Sequence, residues 1–189
     1  NASLTTTTAA VNPTLRMPHT AYDYTYDETP NYDGFYDLCL NARSRATSAG
    51  YNAASYDRIL IVFTRTTTGY WNFGGFANIE GPNSIYRYFN KETVAHELGH
   101  NYGVHHANLW ATSNASDPLT DGYAIEYGDT FDNMGGFPEL VDFESQQFNP
   151  WRLQFLSWLP TSAVNTVTTA GTYRVHRFDH PDASTTNKL

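Results

Sequence analysis

The residues that can do chemistry in this chain sit in one run, His96-Glu97-Leu98-Gly99-His100-Asn101-Tyr102-Gly103-Val104-His105-His106. On a helix, residues four apart project from the same face one turn apart. The His96 and His100 imidazoles can therefore reach one ion at about 2.0–2.1 Å, the Zn–N bond length. Glycine adopts positive φ without steric cost, so Gly103 can end the helix and turn the backbone sharply. His106, three residues on, can then return as a third ligand. Three neutral nitrogen donors leave a fourth position open, which describes a catalytic rather than a structural zinc site. Glu97, beside the first ligand, would lie against the metal-bound water and accept its proton. His105 competes with His106 for the third place; the spacing after Gly103 favours His106 and turns His105 away. With 7 His and 13 Gly in 189 residues, five fixed positions match by chance in roughly 2 of 100,000 such chains. A metal site is thus preferred to a His-rich helix end, and a structural zinc site would leave Glu97 without a role. His19, His176 and His180 lie outside any ligand spacing.

Several elements must position this run. Asn90 is a suitable N-cap for a helix over residues 91 to 102, with Gly103 just past its end. Upstream, Phe35, Leu38, Cys39, Ala42 and Ala46 recur at helical spacing over 34–49, closed by Gly50. Cys39 falls on that apolar stripe and reads as an inert buried thiol. Ile59-Leu60-Ile61-Val62-Phe63 is the longest apolar run and predicts a buried strand over 58–64. A helix followed by such a strand suggests an α/β layer with a mostly parallel sheet. Residues 76–81 read as a short strand stopped by Gly81. The Gly- and Asp-rich stretch 107–148 shows little periodicity and predicts a long functional loop. Asn149-Pro150 opens a second helix that ends at Leu159, with Trp151, Phe155, Leu156, Trp158 and Leu159 packed onto the core. Residues 171–178 alternate polar and apolar types, as a half-buried strand does.

Composition narrows the function. The chain is 40% hydrophobic and 15% aromatic, enough for a packed core. Its formal charge of −8 supplies no basic stripe for a phosphate backbone, so no nucleic-acid partner is expected. No apolar run approaches the roughly 18 to 20 residues that span a bilayer. One cysteine forms neither a disulfide framework nor a Cys-based metal site within the chain. Few charges beside abundant Thr, Ser, Asn and Tyr is a mix common on secreted proteins. Tyr22, Asp23, Tyr24, Tyr26, Asp27, Tyr32, Asp33, Tyr36 and Asp37 interleave rings with carboxylates. They predict a loop whose rings cover neighbouring core, with a sugar- or protein-binding surface as the alternative. Asp117, Asp121, Asp129, Asp132 and Asp142 admit a calcium ion. Without a twelve-residue EF-hand pattern, a solvated acidic loop is preferred to Ca2+.

The run from His96 to His106 matches without a mismatch the metzincin signature of zinc endopeptidases, His-Glu-x-x-His-x-x-Gly-x-x-His. That clan also places Met in a tight turn beneath the zinc-binding imidazoles. Met134, in Asp132-Asn133-Met134-Gly135-Gly136, is identified with this Met-turn, because the other methionine, Met17, precedes the helix. Between Met17 and Phe178 the chain most resembles the gametolysin-like peptidases. The similarity includes the helix-strand unit ending at Phe63, Gly75-Phe76-Ala77, Tyr127-Gly128-Asp129, and Asn149-Pro150 through Trp158-Leu159. Astacin- and serralysin-type enzymes place Tyr two residues after the Met; here Gly136 stands there, so no tyrosine ligand is expected.

The resemblance implies a metzincin-type catalytic domain of α+β or α/β class. Its features are a mixed, mostly parallel twisted sheet with an antiparallel edge strand, the zinc helix, and a C-terminal helix after the Met-turn. It places that domain at 1–160, lacking an upstream strand-helix unit, and a β-rich region or tail at 161–189. The implied function is a secreted endopeptidase with one catalytic Zn2+, acting on an extended protein or glycoprotein substrate. By family analogy Phe76, Ala77, Asn78 and Ile79 form the edge that pairs with substrate. Gly135, Gly136 and Phe137, running on to Pro138, wall the pocket just past the cleaved bond. Two alternatives stand beside this: a non-catalytic module that binds cell-wall glycan or glycoprotein and retains a metal site, and a metal enzyme acting on a non-peptide bond. The retained Glu97 argues against the first, since a pure binder has no use for that carboxylate.

Overall fold

A computed structural model describes residues 14–25, 33–63, 71, 73–117, 120–136 and 147–178 of the chain, which is mixed α+β. The described residues group into two units, one up to His105 and one from His106 onward.

The first unit holds α1 (Ala21–Thr25), α2 (Gly34–Ser48), β1 (Ile59–Val62), β2 (Gly75–Ala77), β3 (Asn83–Tyr86) and α3 (Lys91–Asn101). Asp33 caps α2 by accepting the Tyr36 N–H at 3.0 Å, and Gly50 closes the helix end at φ +92°. Its stripe of Phe35, Leu38 and Cys39 is buried as the spacing predicts. With Tyr24 and Ile85 these side chains form the core, flanked by Met17, Ile61, Phe63, Trp71 and Phe73. Cys39 is about fully enclosed, and burial pushes its thiol pKa up to about 12. A thiol reagent at pH 8 should label the folded protein only slowly and the denatured protein fully. Rapid native labelling would show that α2 does not seat this face.

The sheet is small and mixed, in the order β1-β3-β2. β1 runs parallel to β3, with Ile59 opposite Asn83, and β2 runs antiparallel to it, with Gly75 opposite Tyr86. Among the described residues β2 therefore lies at an edge of the sheet and is its antiparallel strand. The expected predominance of parallel pairing is not found among the described residues: one ladder is parallel and one antiparallel. β1 also differs from its expectation of full burial. Ile59 and Ile61 are half covered, but Leu60 and Val62 on the opposite face are exposed, Val62 by 54%. A continuous apolar run suits a strand with both faces covered, yet periodicity alone cannot show that the second cover exists. The most enclosed strand is instead β3, where Ser84, Ile85 and Tyr86 are fully buried and Tyr86 donates to Ser84 Oγ at 2.8 Å. β2 stops at Ala77, short of the expected Gly81. Gly81 N–H donates to the Asn78 carbonyl and Glu80 turns the backbone at φ +58°, which takes Ile79 out of the strand.

In the second unit, β4 (Leu109–Thr112) and β5 (Gly122–Ile125) form an antiparallel hairpin inside the stretch expected to be loop. The second helix, α4 (Pro150–Phe155), is shorter than expected. Asn149 caps it and Pro150 occupies its first turn, as the sequence predicts. It ends at Leu156 because Ser157 adopts φ +59° and the N–H groups of Trp158 and Leu159 both turn back to the Leu153 carbonyl. Leu159 is buried, but Trp151 is 60% exposed and Phe155 54%, their rings stacked on each other rather than on a core. The residue that α4 sends inward is Arg152, paired at 3.0 Å with the fully buried Asp132. Residues 171–178 carry no ladder pairing among the described residues and are mostly exposed. Alternation alone does not make a strand when no partner supplies its hydrogen bonds. No helix among the described residues is long and apolar enough to cross a membrane.

Candidate metal centre

The motif helix begins and ends as its sequence dictates. The Asn90 side chain accepts the Thr93 N–H at 2.8 Å. At the other end Gly103, at φ +91°, donates to the His100 carbonyl, and Val104 donates to Gly99. These two bonds are the Schellman pair that satisfies the last helical carbonyls while reversing the chain. The reversal leaves the Val104 carbonyl 2.8 Å from His100 Nδ1, which must donate to it because a carbonyl only accepts. With the proton on Nδ1, Nε2 is the nitrogen of the neutral ring that can accept a cation.

Beyond the turn, His106 Nδ1 lies 2.7 Å from Glu126 Oε1 and the Tyr127 ring packs on the imidazole at 3.8 Å between centroids. The His96 and His100 rings meet edge to face at 4.9 Å. One nitrogen from each of His96, His100 and His106 lies within 4.8 Å of the others. Among the described residues no other group of His, Cys, Asp or Glu side chains gathers three ligand atoms in this way. Three imidazoles, two of them oriented through Nδ1 by a carbonyl or a carboxylate, form a donor set that fits a divalent ion such as zinc. His96 and His100 are buried, His106 is half-buried, and His105 is exposed. Replacing Glu126 by Gln should weaken zinc binding by about 10-fold to 100-fold, the usual effect of losing an outer-shell carboxylate. Competition with a chromophoric chelator measures it, and an unchanged dissociation constant would mean that the turn alone holds His106.

Glu97 is buried on the same helix turn as the first ligand. Desolvation pushes its carboxyl pKa up to about 8. Met134 is completely enclosed in a tight turn in which Gly135 N–H donates to the Asp132 carbonyl. Its own carbonyl accepts the Ala107 N–H at 2.8 Å, from the residue that follows His106. Gly135 is required by close approach, since a side chain there would strike the Asp129 carbonyl. At the sheet edge Phe76 is exposed and Ala77 buried, while Asn78 and Ile79 face outward on the turn. Gly136 donates to Tyr127, and Phe137 lies outside the described residues, as does Asp142.

Two contributors, Asn101 and Glu126, went unnoticed at the level of sequence, and a third, Asp132, has a different part from the one expected. Asn101, fully buried, donates from Nδ2 to the carbonyls of Asn78 at 3.2 Å and Asn83 at 3.0 Å. With the Glu80 N–H bound to the His100 carbonyl at 2.8 Å, it ties the end of the motif helix to the turn between β2 and β3. Its place directly after His100 was the only available signal. Glu126 carries no such signal, being distant in sequence from the residue it orients. Asp132 was counted among possible calcium ligands, but both its oxygens are engaged, Oδ1 by the Met134 N–H and Oδ2 by Asn149 and Arg152. The sequence matches no protein-family model, and neither the curated proteins nor the solved structures give a match.

Proposed function

We propose that the chain is a secreted zinc-dependent endopeptidase of the metzincin type, most similar to the gametolysin-like peptidases, acting on extended protein or glycoprotein substrates. The observation that carries this is the approach of the His96, His100 and His106 nitrogens to within 4.8 Å, with a buried glutamate next to His96 on the same helix. His96, His100 and His106 hold the metal. Bound zinc supplies a Lewis acid for the scissile carbonyl and lowers the pKa of the attacking water towards about 7. Glu97 would accept a proton from the attacking water and give it to the leaving amine. Among the described residues no strand pairs with β2 on the side opposite β3, and that side offers backbone groups to an extended peptide. Met134 would occupy the Met-turn, and Gly135 and Gly136 would line the pocket just past the cleaved bond.

Zinc-loaded protein should cleave casein or gelatin, lose that activity to a chelator and regain it on zinc addition. A protein that binds zinc and cleaves neither would favour the glycan- or glycoprotein-binding alternative. A reading as a pure binder does not account for a carboxyl buried beside the first ligand at a desolvation cost.

A further inference from the structure

Gly75 opens β2 opposite Tyr86, and its bare α-carbon faces the motif helix. A β-carbon at this position would lie 2.7 Å from Glu97 Cγ, 2.8 Å from Glu97 Oε1 and 2.8 Å from Thr93 Cγ2. Thr93 and Glu97 are four apart on α3 and so share a face of the helix. Gly75 is not one of the positive-φ glycines, so backbone conformation does not call for glycine here; space does. The neighbouring Gly74 differs. A β-carbon there would meet the Tyr88 ring edge at 3.1 Å and would not touch Glu97.

A methyl group at 75 must displace something. The strand backbone is held by its ladder with β3, and Arg87 and Tyr88 both donate to the Gly74 carbonyl beside it. The groups facing the methyl are side-chain atoms that can rotate, and two of the three belong to the Glu97 side chain. The carboxyl is therefore what moves. We infer that Gly75 is a positioning residue: its missing side chain seats the Glu97 carboxyl directly against the edge strand along which a peptide would lie. The inference rests on the proposed role of Glu97 in peptide hydrolysis. It makes one residue serve both halves of the site, since β2 that pairs with the substrate also sets where the proton acceptor stands.

The test uses the full chain loaded with zinc. Gly75→Ala should lower kcat on a peptide by about a hundredfold, the usual cost of misplacing a reacting group by an ångström. KM and zinc stoichiometry should stay essentially unmoved. Gly74→Ala, with the same added methyl but no contact with Glu97, should keep wild-type kcat. Thermal unfolding gives a second readout: Gly75→Ala should lower Tm more in the wild-type background than in Glu97→Ala, where the Glu97 atoms are gone and only the Thr93 contact remains. If Gly75→Ala alone does not fold, recovery of folding in the double variant supports the contact. Wild-type kcat in Gly75→Ala, a raised KM with kcat intact, or an equal Tm loss in both backgrounds would overturn the inference. A wild-type protein that binds zinc and hydrolyses nothing overturns the peptidase reading itself; the Tm coupling then still reports whether the glycine and the glutamate are packed together.

Discussion

Replacing Glu97 by Gln is expected to lower kcat by about 10²-fold to 10⁴-fold, the range for losing a general acid–base group, while zinc content is unchanged. The two side chains have nearly the same shape, and the three side chains placed to hold a metal are His96, His100 and His106. What the amide lacks is the ability to accept a proton and pass it on. The substitution should not cost stability, because burial already disfavours the charged carboxylate and holds its pKa near 8. The sign follows from linkage. A carboxyl whose pKa is about 4.5 unfolded and about 8 folded keeps its proton longer in the native state. Stability of the metal-free protein therefore falls as pH rises through that window. The Gln variant has no such group, so its metal-free Tm should decline less between pH 5 and 8 than that of the wild type. Peptidase activity retained in full by the variant would remove Glu97 from the chemistry.

What could be read from the sequence were the features with local causes. Asn90, Gly103 and the intervening spacing fix α3 and its reversal, because caps and positive-φ glycines act within a turn of the residues they serve. The convergence of the three imidazoles follows from that same short stretch, which explains why the candidate site was more legible than the fold around it. α2 was equally plain from its apolar spacing and Gly50, while its cap, Asp33, read only as part of the loop before it.

The features that escaped depend on partners distant in the chain. β3 contains Asn83 and Ser84, so its pattern is not that of a buried strand; it is enclosed because strands pair on both sides and helices cover it. β1 has the opposite character, an apolar run whose second face is not covered among the described residues. The hairpin of β4 and β5 was hidden by Gly122 and by the polar residues between its strands. Gly122 sits where a side chain would strike the Ala111 carbonyl, so a residue that reads as loop is what allows the ladder to close. At α4 the amphipathic count failed for a different reason. Trp151 and Phe155 were assigned to a core by hydrophobicity, whereas the buried position belongs to Arg152, whose partner lies far upstream at Asp132.

That pair supports the other large expectation. Asp132 is completely enclosed and Arg152 is 7% exposed at its side chain. The carboxylate accepts the Met134 N–H at 2.7 Å, the Asn149 N–H at 2.8 Å and Arg152 Nε at 3.0 Å. It thus joins the turn carrying Met134 to the cap of α4. Asp132→Ala would remove the carboxylate that faces the buried guanidinium and the acceptor of two backbone N–H groups. Breaking one side of a buried pair costs about 3–5 kcal/mol, and urea unfolding should report a loss of that order. Removing both charges is a different experiment, because the desolvation penalty of the arginine disappears with them. Asp132→Ala combined with Arg152→Met should be more stable than Asp132→Ala alone, the remaining deficit reflecting the two orphaned N–H groups. The same substitution should loosen zinc, since the Met134 carbonyl holds Ala107 next to His106 and a slack turn frees that ligand. Asp132→Ala with wild-type stability and undiminished zinc affinity would mean that the pair is dispensable to the turn and that His106 is held by Glu126 and the chain reversal alone.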